Sequence, residues 1–301
     1  GQGSPRLKQA MRSLFELYAD PKLARAIEDI VAADEESFAW AEKIGMDQRT
    51  VRRLHQRWLE AQEADADDPT VSASDRLRTV MAKLLRTMKQ NPQSKSPIPQ
   101  ALADDARRHV TAALQSTPPA APERAQTVER AKGILGLIGD SDGARELVAE
   151  EIKISPMPYF YMSQMGYLEA ARGHTDQAIA WFERAYRESK GTATRFQWGV
   201  KYVQELSRLR AQDEFAIREA TIAVLGELQG PGRIYGHTRS QLAELEGALR
   251  NWNADDQHAQ VIAAIRGRMA DICAKVPSIE SSAHQACASF PADGKHGDRA
   301  G

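Results

Sequence analysis

The two cysteines are the most reactive side chains in this sequence, and their spacing limits what they could do. Thirteen residues separate Cys273 from Cys287. Thiol–disulfide exchange enzymes use a CxxC pair, and structural zinc sites use clustered Cys and His ligands. Neither a redox dithiol nor a zinc site is therefore supported. Two alternatives stay open: a structural disulfide closing a short loop, worth about 3 kcal/mol, or two buried free thiols.

The other nucleophilic and ionisable residues form no catalytic constellation. Seven histidines are scattered along the chain, and none has an HxxxH or HxxE spacing with a third ligand nearby. The segment "GILGLIGDSDG" (133–143) spaces its glycines by three, but a phosphate loop needs a preceding strand and a following Lys. We therefore expect no metal, no cofactor and no catalysis by this chain alone.

The stretch 37–58 has the spacing of a helix-turn-helix unit. Ala41, Gly45 and Val51 supply the small residue, the turn glycine and the β-branched anchor of such a unit. A basic outer face opposite an apolar inner face suits contact with phosphates and bases. The arginines that would contact DNA are Arg49, Arg52, Arg53 and Arg57.

Two observations weaken the DNA-binding interpretation of this stretch. The same helix continues into the acidic run "LEAQEADADD", which would repel DNA. The pattern also consists of only three positions, each of which accepts several residue types, so many αα-hairpins match it by chance. The competing interpretation is a solvated basic face, or a docking surface, on a packed helix.

Composition excludes several functional classes. Lys and Arg number 40 against 41 Asp and Glu, for a net charge of −1. A neutral chain has no global attraction to nucleic acid or anionic membranes, so such binding needs a local patch. No apolar run approaches the roughly 20 residues needed to span a bilayer.

Helical periodicity dominates the chain. In "DRLRTVMAKLLRTMKQ" (75–90) one apolar stripe recurs with a spacing of three and four. It consists of Leu77, Val80, Met81, Leu84 and Leu85. No stretch alternates with a period of two, so we predict an all-α fold of stacked antiparallel helical hairpins, an α-solenoid of tetratricopeptide type without a sheet.

The acidic, Pro-containing segment 63–75 is the strongest linker candidate. It predicts an N-terminal helical module over 1–68 and a tetratricopeptide-like domain over 69–290. The polar, Gly-rich tail 291–301 is expected to be disordered.

Residues 159–202 resemble a tetratricopeptide repeat. Gly166 stands where two helices of a hairpin approach closely, and Gly173 ends the first helix. The second helix carries the small–aromatic–small pattern of Ala178, Phe182 and Ala185. Two positions depart from the repeat: Glu169 replaces an expected aromatic, and Lys190 replaces an expected Pro. The alternative is a generic αα-hairpin.

Met and aromatic residues open this hairpin, and such residues suit adaptable peptide grooves. We predict that the concave face binds a protein or peptide partner. Its candidate residues are Tyr159, Tyr161, Tyr167, Arg195, Gln197 and Trp198. The competing interpretation places the aromatic rings, Trp198 and Phe160 above all, in the core.

Residues 71–290 resemble the C-terminal helical region of a bacterial periplasmic thioredoxin-family protein. The segment "ATRFQWG" (193–199) and the segment holding both cysteines carry the resemblance most specifically. It implies a periplasmic chain in which Cys273 and Cys287 form a disulfide. The redox chemistry of that family belongs to a CxxC that is absent here.

From these observations we expect a non-catalytic protein-binding or scaffolding domain that accompanies a thioredoxin-like domain in the periplasm. The alternative function is a DNA-binding regulator that uses the helix-turn-helix at 37–58, and the alternative compartment is the cytoplasm.

Overall fold

The structure is a computed structural model that describes residues 4–18, 35–94, 97–230 and 232–276, together with Ala283, Ala286 and Phe290. Every regular element in these residues is an α-helix, and no β-strand occurs among them. The all-α prediction is confirmed, and the helices stack as antiparallel hairpins.

Thirteen helices lie in the described ranges, and short turns join most of them. They are α1 (Pro5–Tyr18), α2 (Glu35–Lys43), α3 (Gln48–Ala64), α4 (Ala73–Gln90), α5 (Gln100–Ser116), α6 (Arg124–Leu137), α7 (Ser141–Ile154), α8 (Pro158–Ala171), α9 (Thr175–Glu188), α10 (Thr192–Leu209), α11 (Glu214–Gly226), α12 (Gly236–Trp252) and α13 (Ala259–Cys273).

The apolar stripe of α4 shows how the sequence pattern becomes packing. Leu77, Val80 and Leu84 are buried, as the spacing predicts. Leu85, the last residue of the apolar stripe, is exposed. Each residue turns the helix by about 100°, which places Leu85 at the edge of the stripe. The Ser72 hydroxyl caps the helix by accepting the Asp75 backbone N–H at 3.1 Å.

The chain divides into two compact units, 1–144 and 145–301, and the boundary falls within α7. In unit 1, α3 packs against α1, α2 and α4, while α4 packs against α5 and α6. An aromatic cluster fills the core between α1, α2 and α3, where the Phe15 and Phe38 rings stack with centroids 4.1 Å apart.

Unit 2 is a succession of hairpins. Helix α9 packs against α8 and α10, α10 packs against α11 and α12, and α11 packs against α13. Each fully buried aliphatic side chain contributes about 1.5–3 kcal/mol. The core of α10–α13 includes Phe196, Val203, Leu206, Ile217, Val224, Leu242, Leu245 and Ile265.

Two glycines permit the closest helix approaches in unit 2. A Cβ on Gly166 of α8 would lie 2.8–2.9 Å from the ring of Phe182 on α9. A Cβ on Gly199 of α10 would lie 2.6 Å from a methyl carbon of Val224 on α11. The predicted close approach at Gly166 is confirmed. Gly173 has φ of +78°, and its left-handed conformation ends the turn between α8 and α9.

The predicted domain boundary does not coincide with the division between the two units. Helix α3 ends at Ala64, and the Glu63 carboxylate lies 3.2 Å from Lys83 of α4. Segment 63–75 therefore lies within unit 1. The boundary at residue 68 stays a prediction, and the predicted disordered tail 291–301 lies outside the described residues.

Candidate partner-binding surface

Helices α8 and α10 lie side by side, and their aromatic rings meet at one end. The Trp198 ring centroid is 5.8 Å from that of Tyr159 and 6.3 Å from that of Phe160. Further along both helices, the Tyr167 hydroxyl donates to Glu205 at 3.1 Å. In both contacts a later residue of α8 meets a later residue of α10, so the two helices run parallel. First helices of successive hairpins in a solenoid have this arrangement.

The start of α8 exposes apolar surface. Met157, which precedes the helix, is 53% exposed, and residues 158–168 include no charged side chain. Exposed apolar groups that are contiguous mark interaction sites more often than scattered ones do. We define the aromatic surface as Met157, Tyr159, Phe160, Gln197 and Trp198.

The structure brings most of the predicted partner-binding residues near this surface. Tyr159 and Trp198 are half-buried and in mutual contact, and Gln197, the residue before Trp198, is exposed. Tyr167 is 41% exposed, one turn from the end of α8. Tyr161 is only 4% exposed, which corrects its assignment to the binding face. It follows Tyr159 by two residues, and a helix turns about 200° over that step.

Arg195 holds the scaffold together rather than standing free. Its Nη2 lies 2.7 Å from the Glu227 carboxylate that follows α11, and its guanidinium packs over the Tyr186 ring at 5.7 Å. The Tyr186 hydroxyl donates to the same carboxylate at 3.2 Å. Burial, together with the negative charge of Glu227, raises the pKa of Tyr186, so this hydroxyl stays a donor. Arg195 thus clamps the start of α10 to the end of α11.

A second buried contact joins α8 to α10 further along both helices, beyond the aromatic surface. Glu205 is buried, and it accepts hydrogen bonds from the Tyr167 hydroxyl and, at 2.8 Å, from Arg208. Burial and the adjacent carboxylate raise the pKa of Tyr167 to about 12. A buried charge with all its partners in place rigidifies the elements that supply them. The aromatic surface therefore rests on fixed helices.

The carboxylate at the position expected to be aromatic has its own partners. Glu169 is 1% exposed, and it accepts from Arg145 at 2.7 Å and contacts the ring nitrogen of His174 at 2.8 Å. Burial opposes ionisation, but the hydrogen bonds from Arg145 and His174 hold the pKa of Glu169 below its usual value. This ion pair ties α7 to the turn after α8.

A cleft at the start of α10 is lined by charged groups that already have partners. It has a volume of about 300 Å³ including open solvent, and its lining includes Phe196, Glu227 and Arg233. Arg195 and Tyr186 already engage the Glu227 carboxylate, and Arg233 donates to the Thr192 hydroxyl. Within the described residues, no three His, Cys, Asp or Glu side chains cluster so as to hold a metal ion.

The helix-turn-helix spacing corresponds to a packed hairpin of α2 and α3. Ala41 is fully buried, Val51 is buried, and Gly45 has φ of +82° in the turn. The Asp47 carboxylate accepts the Thr50 backbone N–H at 2.8 Å at the start of α3. The four predicted DNA-contacting arginines Arg49, Arg52, Arg53 and Arg57 are all exposed.

The predicted disulfide falls partly outside the described residues. Cys273 ends α13 and packs, half-buried, against the core of unit 2. Cys287 is not among the described residues, but its sequence neighbour Ala286 packs against the same core. The pairing stays a prediction.

Sequence reasoning missed the residues that fix the aromatic surface. Glu205 and Glu227 were not candidates, because their partners lie 38 and 41 residues away in sequence. An acidic residue on the apolar side of a helix predicts that its carboxylate has a hydrogen-bonding or charged partner. The sequence does not identify which residue that partner is.

No protein-family model matches the chain, and a search of curated proteins returns no relative. The described helices include none with the length and apolar character needed to cross a membrane.

Proposed function

We propose that unit 2 is a non-catalytic scaffold whose protein or peptide partner docks on the aromatic surface of α8 and α10. The observation that carries the proposal is a partly exposed, aromatic-rich surface whose helices are held by the buried Glu205 carboxylate and the half-buried Glu227 carboxylate. Interface hot spots are enriched in Trp and Tyr and benefit from rigid supports.

The partner that the sequence resemblance favours is a thioredoxin-like domain in the periplasm. The absence of a CxxC in this chain assigns any redox chemistry to that partner. The packing of Cys273 and Ala286 against one core supports a Cys273–Cys287 disulfide, which requires an oxidising compartment.

Site-specific photocrosslinking in cells that make the protein tests this proposal. A photoreactive benzoylphenylalanine replaces Gln197, which is exposed within the aromatic surface. The matched control replaces Gln177, which is also exposed but lies on α9. Mass spectrometry then identifies any adduct.

We expect one discrete adduct from position 197, formed with a single protein and absent from position 177. An adduct with a thioredoxin-like protein would also support the proposed partner. If no adduct forms at 197, or if both positions give the same adducts in equal yield, the proposed docking surface is wrong.

A further inference from the structure

Unit 1 carries a basic surface that the scaffold proposal does not use. The arginine surface consists of Arg49, Arg52, Arg53 and Arg57 on one side of α3. All four side chains are exposed, and none forms an ion pair with any other described residue. Many arginines elsewhere in the described helices do have a carboxylate partner, such as Arg107 with Asp140 at 2.8 Å.

One of these arginines opposes the stability of its own helix. Arg49 lies in the first turn of α3, which contains no acidic residue, and the positive end of a helix dipole disfavours cations there. The Asp47 carboxylate, which precedes the helix, interacts with Arg49. The other three arginines lie beyond the first turn, and no ion pair with a described residue accounts for their charge. An anionic partner accounts for it.

The hairpin presents the arginine surface away from the core. Val51, Leu54 and Trp58 occupy the opposite side of α3 and are buried. Arg49 and Arg57 are separated by eight residues, or about 12 Å along the helix. The major groove of B-DNA, about 12 Å wide, admits a helix that lies along it, so this row of side chains can face the groove floor and its phosphates. The turn at Gly45 joins α2 to α3, as a short turn does in DNA-binding hairpins.

The acidic end of α3 is the strongest objection to an anionic partner, and the structure reduces it. The Glu63 carboxylate is engaged by Lys83, and the Asp67 carboxylate lies 3.8 Å from His109. Glu60, the first acidic residue of that run, follows Arg57 by three residues on the same side of α3, and its carboxylate accepts a hydrogen bond from Gln56 at 3.0 Å. The acidic run therefore begins at the edge of the arginine surface, and its remaining carboxylates lie further along the chain.

We propose that the α2–α3 hairpin binds duplex DNA, with α3 in the major groove and the arginine surface on phosphates and base edges. This inference concerns unit 1 and does not rest on the protein-binding proposal for unit 2. A chain with both activities binds a protein through unit 2 and DNA through unit 1.

Fluorescence anisotropy of the full chain with a labelled mixed-sequence duplex of about 30 base pairs, across a salt series, tests the inference. The test variant combines Arg49→Gln, Arg52→Gln and Arg53→Gln. The matched control combines Lys190→Gln, Arg239→Gln and Lys275→Gln, which remove the same charge from exposed positions in unit 2 that form no ion pair with another described residue. Circular dichroism checks that both variants fold.

We expect micromolar binding at low salt that weakens steeply as salt rises. The test variant should lose at least about tenfold in affinity, and its salt slope should fall by about three. The control should stay within about twofold of the parent. The inference is overturned by absence of duplex binding at 50 mM salt, by an equal loss in the control, or by equal binding to the single strand or to phosphatidylserine vesicles.

Discussion

Replacement of Gly199 by Ala tests the packing that brings α10 against α9 and α11. The new Cβ would lie 2.6 and 2.9 Å from the two methyl carbons of Val224 and 3.1 Å from the Tyr186 ring. Carbon atoms pack best at 3.5–4.0 Å, so a β-branched side chain on a packed helix must move. Overpacking of this kind costs about 1–3 kcal/mol, and the better helix propensity of Ala offsets about 0.8–1 kcal/mol.

The expected net result for Gly199→Ala is a loss of up to about 2 kcal/mol in the free energy of unfolding. Urea unfolding followed by circular dichroism measures it. Gly247→Ala is the matched control, because its new Cβ meets nothing within 4 Å in α12. This control should gain about 0.5–1 kcal/mol. Gly133→Ala should fall between the two, since only the flexible end of Met81 obstructs it.

A double-mutant cycle identifies the clash itself. Val224→Ala alone removes buried methyl groups and destabilises unit 2. In the Gly199→Ala background the same change also relieves the overlap, so the two substitutions should couple by about 1 kcal/mol or more. The packing argument fails if Gly199→Ala stabilises the protein as Gly247→Ala does, or if the two changes are additive.

The other predictions concern acid stability and the cysteines. The folded pKa of Glu169 is lowered, so its stabilising contribution is complete above the ordinary value near 4.5 and is lost as pH falls through the folded value. Glu169→Gln should lower the free energy of unfolding by about 1–2 kcal/mol at pH 7, as measured by urea unfolding. The variant should also lose less stability than the parent as pH falls below 4.5. A variant that loses as much stability as the parent between pH 4.5 and lower pH would refute this. Intact mass after alkylation in denaturant should show Cys273 and Cys287 blocked until reduced, and reaction of both thiols without reductant would exclude the disulfide.

Local sterics made part of unit 2 predictable from sequence. Gly166, Phe182 and Ala178 lie within one hairpin, and the spacing of small and aromatic residues reports directly on how closely two helices approach. The structure places the Phe182 ring against Gly166 and buries Ala178, as the pattern requires.

Residues whose environment depends on a third element were not predictable in this way. Tyr161 and Leu85 lie at positions where periodicity alone does not tell which face a neighbouring helix covers. Glu169 departs from the repeat pattern because Arg145, 24 residues earlier, supplies a charged partner for it. Ion pairs between residues far apart in sequence produce no periodic pattern from which they could be predicted.

The division between the two units has no compositional mark either. It falls within α7, a regular helix, whereas the Pro-containing acidic segment 63–75 lies inside unit 1. The composition of a segment indicates only how stiff the chain is locally. Compact units are defined by which helices share a core, and composition does not show that.

Crosslinking from position 197 in the presence of Trp198→Ala tests the central claim most directly. Trp198 is the aromatic side chain of α10 that meets both rings of α8. Loss of a hot-spot Trp costs about 2 kcal/mol or more in binding, roughly a thirtyfold change in affinity. The control is Phe215→Ala, because Phe215 is 70% exposed on α11 and lies outside the aromatic surface. The account predicts at least a tenfold loss of adduct with Trp198→Ala and none with Phe215→Ala, in proteins that remain folded at the assay temperature. An adduct yield that Trp198→Ala leaves unchanged would contradict it.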